Sequence, residues 1–236
     1  MVRLPILTYH FVGDHPHQRH HRSIFCHAPV FAAQMRLLRR LGWKTLSLAE
    51  VARLAAAGAA MPRKRFALTF DDGDGDLWWS VRPVIQEHGF TASAFIVSGR
   101  IGGSNDWETA PTLCGRPLLN AKQIRAMADE GWDIGGHTVS HPDLTTLDAE
   151  TLRREVADCR TGLEALLDRP VTSFCYPSGC VDEFARNAVV ESGFTLAVTT
   201  ARGRVHTGAD PFLLPRVSVS HRAGPLGLLF RIVRSP

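Results

Sequence analysis

The chain has 236 residues, of which 44% are hydrophobic and 21% charged, and this composition argues against a disordered chain. The net charge is +4 with neutral histidines. The basic residues are scattered along the sequence, so we expect no nucleic-acid partner. The five cysteines include no CxxC pair, which argues against a disulfide framework and against a cysteine zinc site.

The opening segment MVRLPILTYH is too short an apolar run for a signal peptide, and it predicts a strand over Leu4–Tyr9. No later run approaches the ~20 apolar residues of a membrane helix. We therefore expect a cytoplasmic protein without a transmembrane segment. A mature exported form, cleaved from its signal peptide, is the alternative.

Short β-type runs then alternate with helical stretches. The first half of the chain predicts, in order, the helices Val30–Leu41 and Leu46–Ala57, the strand Phe66–Phe70, the helix Leu77–His88 and the strand Ala92–Val97. After a long loop over Ser98–Pro117, the second half predicts a helix capped by Asn120 and ending at Glu130, the strand Trp132–Ile134, the helix Asp148–Leu167, the strand Thr172–Tyr176, the helix Glu183–Ser192, and the strands Thr195–Val198 and Leu213–Val217.

This rhythm of strand and helix predicts a parallel sheet in a single domain over residues 1–236, and the number of units favours a closed barrel. In such barrels the chemistry collects where the strands end. Polar residues follow several predicted strands, namely His10, Asp71 with Asp72, His137, and the turn at 177–179. Their expected convergence on one rim predicts a functional site.

The first of these clusters is a pair of adjacent carboxylates, Asp71 and Asp72, at a strand end before Gly73. Two buried carboxylates destabilise each other unless a cation or hydrogen-bond donors compensate. A metal would do so if one carboxylate bound it and the other remained free as a base. The competing interpretation is a common Asp-Gly turn with a capping aspartate.

The second cluster is His137-Thr-Val-Ser-His141, with two histidines at i and i+4. On a helical turn this spacing places both imidazoles on one face, within chelating reach. The alternative is a pair of unrelated loop histidines. Together with the aspartate pair, the histidines complete a His₂Asp set, which is typical of an open zinc site.

TFDDG at 69–73, HTVSH at 137–141 and FCYPSG at 174–179 resemble the motifs of the NodB-type polysaccharide deacetylases, carbohydrate esterase family four. The opening PILTYHFV and the stretch at 31–54 are similar to the branch that acts on biofilm and exopolysaccharide chains. The resemblance implies a distorted (β/α)₇ barrel, a divalent metal, and removal of N-acetyl groups from the amino sugars of a glycan.

The same resemblance assigns roles to individual residues. It implies that Asp71 is the general base, while Asp72, His137 and His141 hold one divalent ion. We expect zinc, with Co²⁺ or Ni²⁺ as alternatives. Three neighbouring residues of the third motif would bind substrate: Ser178 through its backbone N–H, and Tyr176 and Pro177 as a groove wall.

Two departures from the family pattern concern catalysis. Cys175 stands where the third motif usually has an arginine, and Arg216 is the candidate for orienting Asp71 in its place. The late Leu-x-x-His motif, which supplies the general acid in the family, is absent. We prefer His10 as the acid over His206 and His221, because it ends the first predicted strand; a structural role for His10 is the alternative.

Two other functions stay open at this stage. The missing arginine and acid motif would suit a glycan-binding protein that has lost catalysis, although the complete aspartate and histidine motifs argue against it. A deacetylase of a lipid-linked cytoplasmic sugar precursor is the other alternative.

Overall fold

The computed structural model describes residues 3–14, 24–110, 113–220 and 223–234. Seven parallel strands close into a barrel, because the first pairs with the last of the series and also with the second. These strands are β1 Ile6–Tyr9, β5 Arg65–Phe70, β6 Ser93–Ile96, β7 Asp133–Gly136, β8 Ser173–Cys175, β9 Leu196–Arg202 and β10 Leu214–Ser218. The predicted (β/α)₇ barrel is therefore confirmed.

Three shorter strands were not predicted. β2 Phe11–Gly13 and β3 Phe25–His27 form a separate two-stranded parallel sheet, and β4 Lys44–Thr45 pairs with the start of β5. The helices surround the barrel, and they are α1 Ala28–Arg40, α2 Leu48–Ala56, α3 Arg82–His88, α4 Ala121–Asp129, α5 Ala149–Leu167, α6 Glu183–Glu191 and α7 Pro225–Arg234. None of the helices among the described residues is long and apolar enough to span a membrane.

Local sequence signals account for where several helices begin. Ser47 accepts a hydrogen bond from the amide of Glu50, whose side chain bonds back to the amide of Ser47; this capping box satisfies two otherwise unpaired amides of α2. Asn120 and Gln123 form a similar box for α4, and Asp148 caps α5. One predicted helix differs, because Leu77–Val81 is a π-helical segment that precedes α3.

The core has an inner and an outer part. The inner cluster fills the barrel near the amino ends of its strands, and it includes Ile6, Ala67, Phe95 and Leu214. Helix α2 packs on this cluster from the same end. The outer cluster lies between the strands and the surrounding helices. The carboxyl end of the barrel carries the polar residues described next.

Candidate active site

The alternation of side chains along the strands brings polar groups from distant parts of the chain into the barrel mouth. On β5, Ala67 lies in the inner cluster and Leu68 in the outer one. Successive side chains of a strand point to opposite faces, so Asp71 continues the inner series of Ala67. On β10, Arg216 likewise follows the inner residue Leu214, and it reaches Asp71.

His137 enters the mouth of the barrel by the same alternation. A Cβ atom at Gly135 would lie 2.5 Å from the ring of Phe95 and 2.6 Å from Ser173 Oγ, so position 135 faces the crowded interior. Only glycine fits there without displacing these neighbours. His137, two residues further along, points inward above Gly135 and is buried.

Asp71 and Arg216 form a buried, two-pronged ion pair. Arg216 Nη1 donates to Asp71 Oδ1 and Nη2 donates to Oδ2, each at 2.7 Å. Such bidentate charged hydrogen bonds are strong, and they also fix the orientation of both side chains. Burial alone would raise the pKa of Asp71, but the guanidinium holds that pKa well below its usual value. Asp71 is therefore an anion with a defined orientation.

Further contacts hold the guanidinium in place. Arg216 Nε donates to the carbonyl of Thr199 at 2.8 Å, and Nη1 donates to Thr69 Oγ1 at 3.1 Å. Arg216 Nη2 also lies 3.3 Å from Cys175 Sγ. The guanidinium thus sits beside the position at which the third motif departs from the family pattern. Although burial would lower the pKa of Arg216, the charge of Asp71 raises it, and the side chain stays cationic.

Asp72 turns toward a different pair of side chains. Its φ of 71° is left-handed, a conformation that aspartate tolerates better than most residues, and it lets two adjacent carboxylates face one cavity. Asp72 Oδ1 lies 3.4 Å from His137 Nε2 and 3.6 Å from His141 Nε2. The structure therefore brings the three predicted ligands together.

The dimensions and the ligand types of this cluster fit a divalent metal. One ligand atom from each residue lies within 4.8 Å of the others, and ligands ~2.1 Å from a tetrahedral ion would be ~3.4 Å apart. His137 Nδ1 lies 2.7 Å from the carbonyl of Cys175, which can only accept, so Nδ1 carries a proton and Nε2 is the atom that faces Asp72. Burial, the largest cause, lowers the pKa of His141 to about 4, which leaves it neutral. Although burial would lower the pKa of His137, Cys175 and Asp72 raise it, and a bound cation would displace the Nε2 proton.

The expectation that His137 and His141 share a helical turn is wrong. Both Thr138 and His141 have φ of 65°, so the segment is a loop. The hydroxyl of Thr138 accepts from the amide of His141 at 2.9 Å. Glu155 on α5 accepts from the amides of residues 139 and 140, each at 2.9 Å. These contacts, rather than helical spacing, bring the two imidazoles together.

Trp107 is a neighbour of the site that the sequence did not suggest. Its ring stacks on His141 with centroids 4.9 Å apart and an interplanar angle of 21°. It comes from the long loop between β6 and α4. The contact restricts the His141 ring, and no spacing or motif around Trp107 could have indicated it.

The three candidate acids are placed differently. His10 Nε2 lies 3.6 Å from Asp71 Oδ2, and the side chain is partly exposed at the barrel mouth. His206 is exposed and follows Val205, whose backbone pairs with Leu4 ahead of β1; it therefore lies toward the amino end, away from Asp71. His221 lies outside the described residues.

The expected groove wall needs correction. Tyr176 is fully buried and its ring packs on Phe174 with centroids 5.4 Å apart. Pro177 is also buried, whereas Ser178 is exposed and has a left-handed φ of 55°. The side chains of Tyr176 and Pro177 consequently support the turn from beneath, and Ser178 is the member of the trio that reaches the surface.

Comparison with known proteins identifies the class to which this chain belongs. Residues 58–197, more than half of the chain, match the family model for polysaccharide deacetylases, and the chain belongs to this family. It is accordingly a hydrolase that acts on amide bonds.

Individual relatives extend over most of the chain. The protein YxkH of Bacillus subtilis (strain 168) is 27% identical over 219 residues, covering 93% of this chain and 72% of that relative. The poly-beta-1,6-N-acetyl-D-glucosamine N-deacetylase of Staphylococcus epidermidis is 24% identical over 202 residues, covering 82% of this chain and 67% of that relative. The Streptococcus pyogenes deacetylase PplD, solved in complex with acetate, shares the fold with a TM-score of 0.86 at 24% identity, over 98% of each chain.

Proposed function

We propose that this polysaccharide deacetylase is a metal-dependent N-deacetylase of acetylated amino sugars in an exopolysaccharide-type glycan, and that residues 1–236 act as one catalytic domain. The observation that carries the proposal is the cluster of Asp72, His137 and His141 beside an oriented, anionic Asp71. The candidate metal ligands and the candidate base thus lie together at the end of the barrel where such folds place their chemistry.

Asp72, His137 and His141 would hold the divalent ion. Imidazole and carboxylate ligands suit zinc, with Co²⁺ and Ni²⁺ as alternatives. When bound, such an ion supplies Lewis acidity to a carbonyl oxygen and makes water more acidic. His137 is prepared for this role because the Cys175 carbonyl fixes its tautomer.

Asp71 would accept the proton of the attacking water. The ion pair with Arg216 lowers the basicity of this carboxylate, which weakens the driving force for proton transfer. In return, Asp71 is ionised and fixed in orientation throughout the working pH range. Each carboxylate oxygen has lone pairs beyond the one used by Arg216, so the proton still has a place to go.

His10 and Ser178 would complete the reaction. His10 lies 3.6 Å from Asp71 at the mouth of the barrel, where it could give a proton to the departing amine. The exposed turn at Ser178 would offer its backbone N–H to the acetyl oxygen as negative charge develops there. The products would be acetate and a glycan with a free amino sugar.

The substrate class rests on both the family and the named relative. An oligomer of β-1,6-linked N-acetylglucosamine is the first substrate to test, since the Staphylococcus epidermidis relative bears that substrate in its name. The decisive assay measures acetate release from this oligomer by enzyme as purified, after chelation, and after zinc is restored. We expect loss on chelation and recovery with zinc. Binding of the oligomer with no acetate released would instead indicate a glycan-binding protein.

A further inference from the structure

A basic cavity lies at the end of the barrel opposite the candidate active site. It has a volume of about 600 Å³ and is lined by five basic side chains, Arg3, Arg63, Lys64, Arg65 and Arg204. Arg3 precedes β1, and residues 63–65 lead into β5, which places the cavity at the amino ends of the strands. No acidic residue is among the described residues that line it.

Within the described ranges of the chain, no carboxylate forms an ion pair with the basic side chains of this cavity. Lys64 Nζ donates to the carbonyl of Leu41 at 2.9 Å, and Arg204 Nη1 donates to the carbonyl of Ile232 at 3.4 Å. Arg204 Nε is buried, and it finds no hydrogen-bond partner in the described parts of the chain. Burial, together with the charge of Arg3, lowers the pKa of Arg204. Cations gathered in this way attract an anion.

An exposed apolar stripe on α7 borders the cavity. Leu226, Phe230 and Val233 stand at i, i+4 and i+7, so they share one face, and they are 76%, 60% and 62% exposed. The opposite face buries Leu228 and Ile232 in the outer core. Val233 also lines the basic cavity, which makes the stripe and the cavity one continuous surface.

We propose that this continuous surface docks the protein on a membrane that contains anionic phospholipid. The stripe of α7 would enter the boundary between headgroups and acyl chains, as the apolar face of an interfacial helix does, and the cavity would receive lipid phosphates. A second copy of the chain is a poor occupant, because two cavities of five cations each would face each other.

The surface can be tested without reference to catalysis. The full chain is sedimented with vesicles of phosphatidylcholine alone, and with vesicles that also contain phosphatidylglycerol. We expect binding only to the mixed vesicles, and we expect added salt to weaken it. Arg63→Gln and Lys64→Gln should each lower partitioning about fivefold, the equivalent of ~1 kcal/mol per basic residue. Leu226→Ser with Phe230→Ser should abolish binding, and both residues are exposed enough for the variant to fold.

Two matched variants serve as controls. Phe184→Ser removes an aromatic residue of α6 that is 77% exposed, and Lys122→Glu reverses an exposed charge on α4; neither should change vesicle binding. The proposal is overturned by equal binding to both kinds of vesicle, by no binding, or by equal losses in the controls. It is also overturned if inorganic phosphate competes while the α7 variant still binds, or if α7 instead mediates dimers seen by size-exclusion chromatography.

Discussion

The ion pair between Asp71 and Arg216 makes the sharpest prediction for the candidate site. Arg216→Met keeps most of the side-chain volume and removes the guanidinium, which leaves the buried Asp71 carboxylate without its partner. Breaking a buried pair on one side destabilises a protein by ~3–5 kcal/mol. We expect a loss of this size in the free energy of unfolding, measured in urea near neutral pH on chelator-treated protein.

The same variant should alter the pH dependence of activity. The folded pKa of Asp71 lies below its ordinary value, so the pair's stabilisation is complete above the unfolded pKa of ~4 and is lost as pH falls through the folded pKa. Without Arg216, burial dominates and raises the pKa of Asp71. Its carboxylate then takes up a proton at higher pH, and the acidic limb of the acetate-release profile should move upward.

A double variant separates the pair from its surroundings. Asp71→Asn combined with Arg216→Met removes both charges, so stability should return close to that of the parent while activity does not. Arg216→Lys should recover only part of the effect, because an ammonium cannot form the two parallel bonds of a guanidinium. A loss below ~1 kcal/mol in Arg216→Met, with an unchanged acidic limb, would refute the idea that this pair holds Asp71 ionised.

Further substitutions test the other roles. Asp71→Asn should lower acetate release about 100-fold or more, as loss of a general base does, with metal content unchanged; near-full turnover would place the base elsewhere. His137→Ala should remove the metal, which elemental analysis would report, and a full equivalent in that variant would contradict the ligand set. His10→Ala should lower kcat with metal retained, whereas the control His206→Ala, at the far end of the barrel, should change little; equal effects would dismiss His10 as the acid. Glu155→Ala should weaken metal affinity ~10- to 100-fold, because Glu155 holds the loop between His137 and His141. Glu155→Gln should recover part of this loss, and unaltered affinity would show that the loop keeps its conformation without Glu155.

The barrel could be predicted because its signals are local and repeated. For α5, the sequence indicated Asp148–Leu167, and the helix spans Ala149–Leu167 with Asp148 as its cap. The three-residue strands β2 and β3 escaped prediction, since a run of that length shows no measurable period. The apolar residues of α7 were likewise not assigned to an element before the structure.

The site was less accessible to sequence reasoning where it depends on loops. Spacing indicated that His137 and His141 could meet, but it attributed the meeting to a helix. The structure forms it instead with left-handed residues, the Thr138 hydroxyl and a carboxylate from α5. An i, i+4 spacing is the same in a helix and in a folded loop, so the pattern predicts the partners and leaves their backbone undefined.

The arrangement around Cys175 shows why a missing motif residue does not imply a missing group. The arginine expected on β8 is absent, yet Arg216 on β10 places its guanidinium 3.3 Å from Cys175 Sγ and in contact with Asp71. β9 lies between these two strands, and a long arginine stem can cross that distance inside a closed barrel. In such a barrel, the position of the charged group matters for the site, and the strand that carries the residue does not. Long side chains from several strands can place a charge at the same point. The same reasoning favours His10, which directly follows β1 beside β5, as a substitute for the histidine of the late motif that this chain lacks.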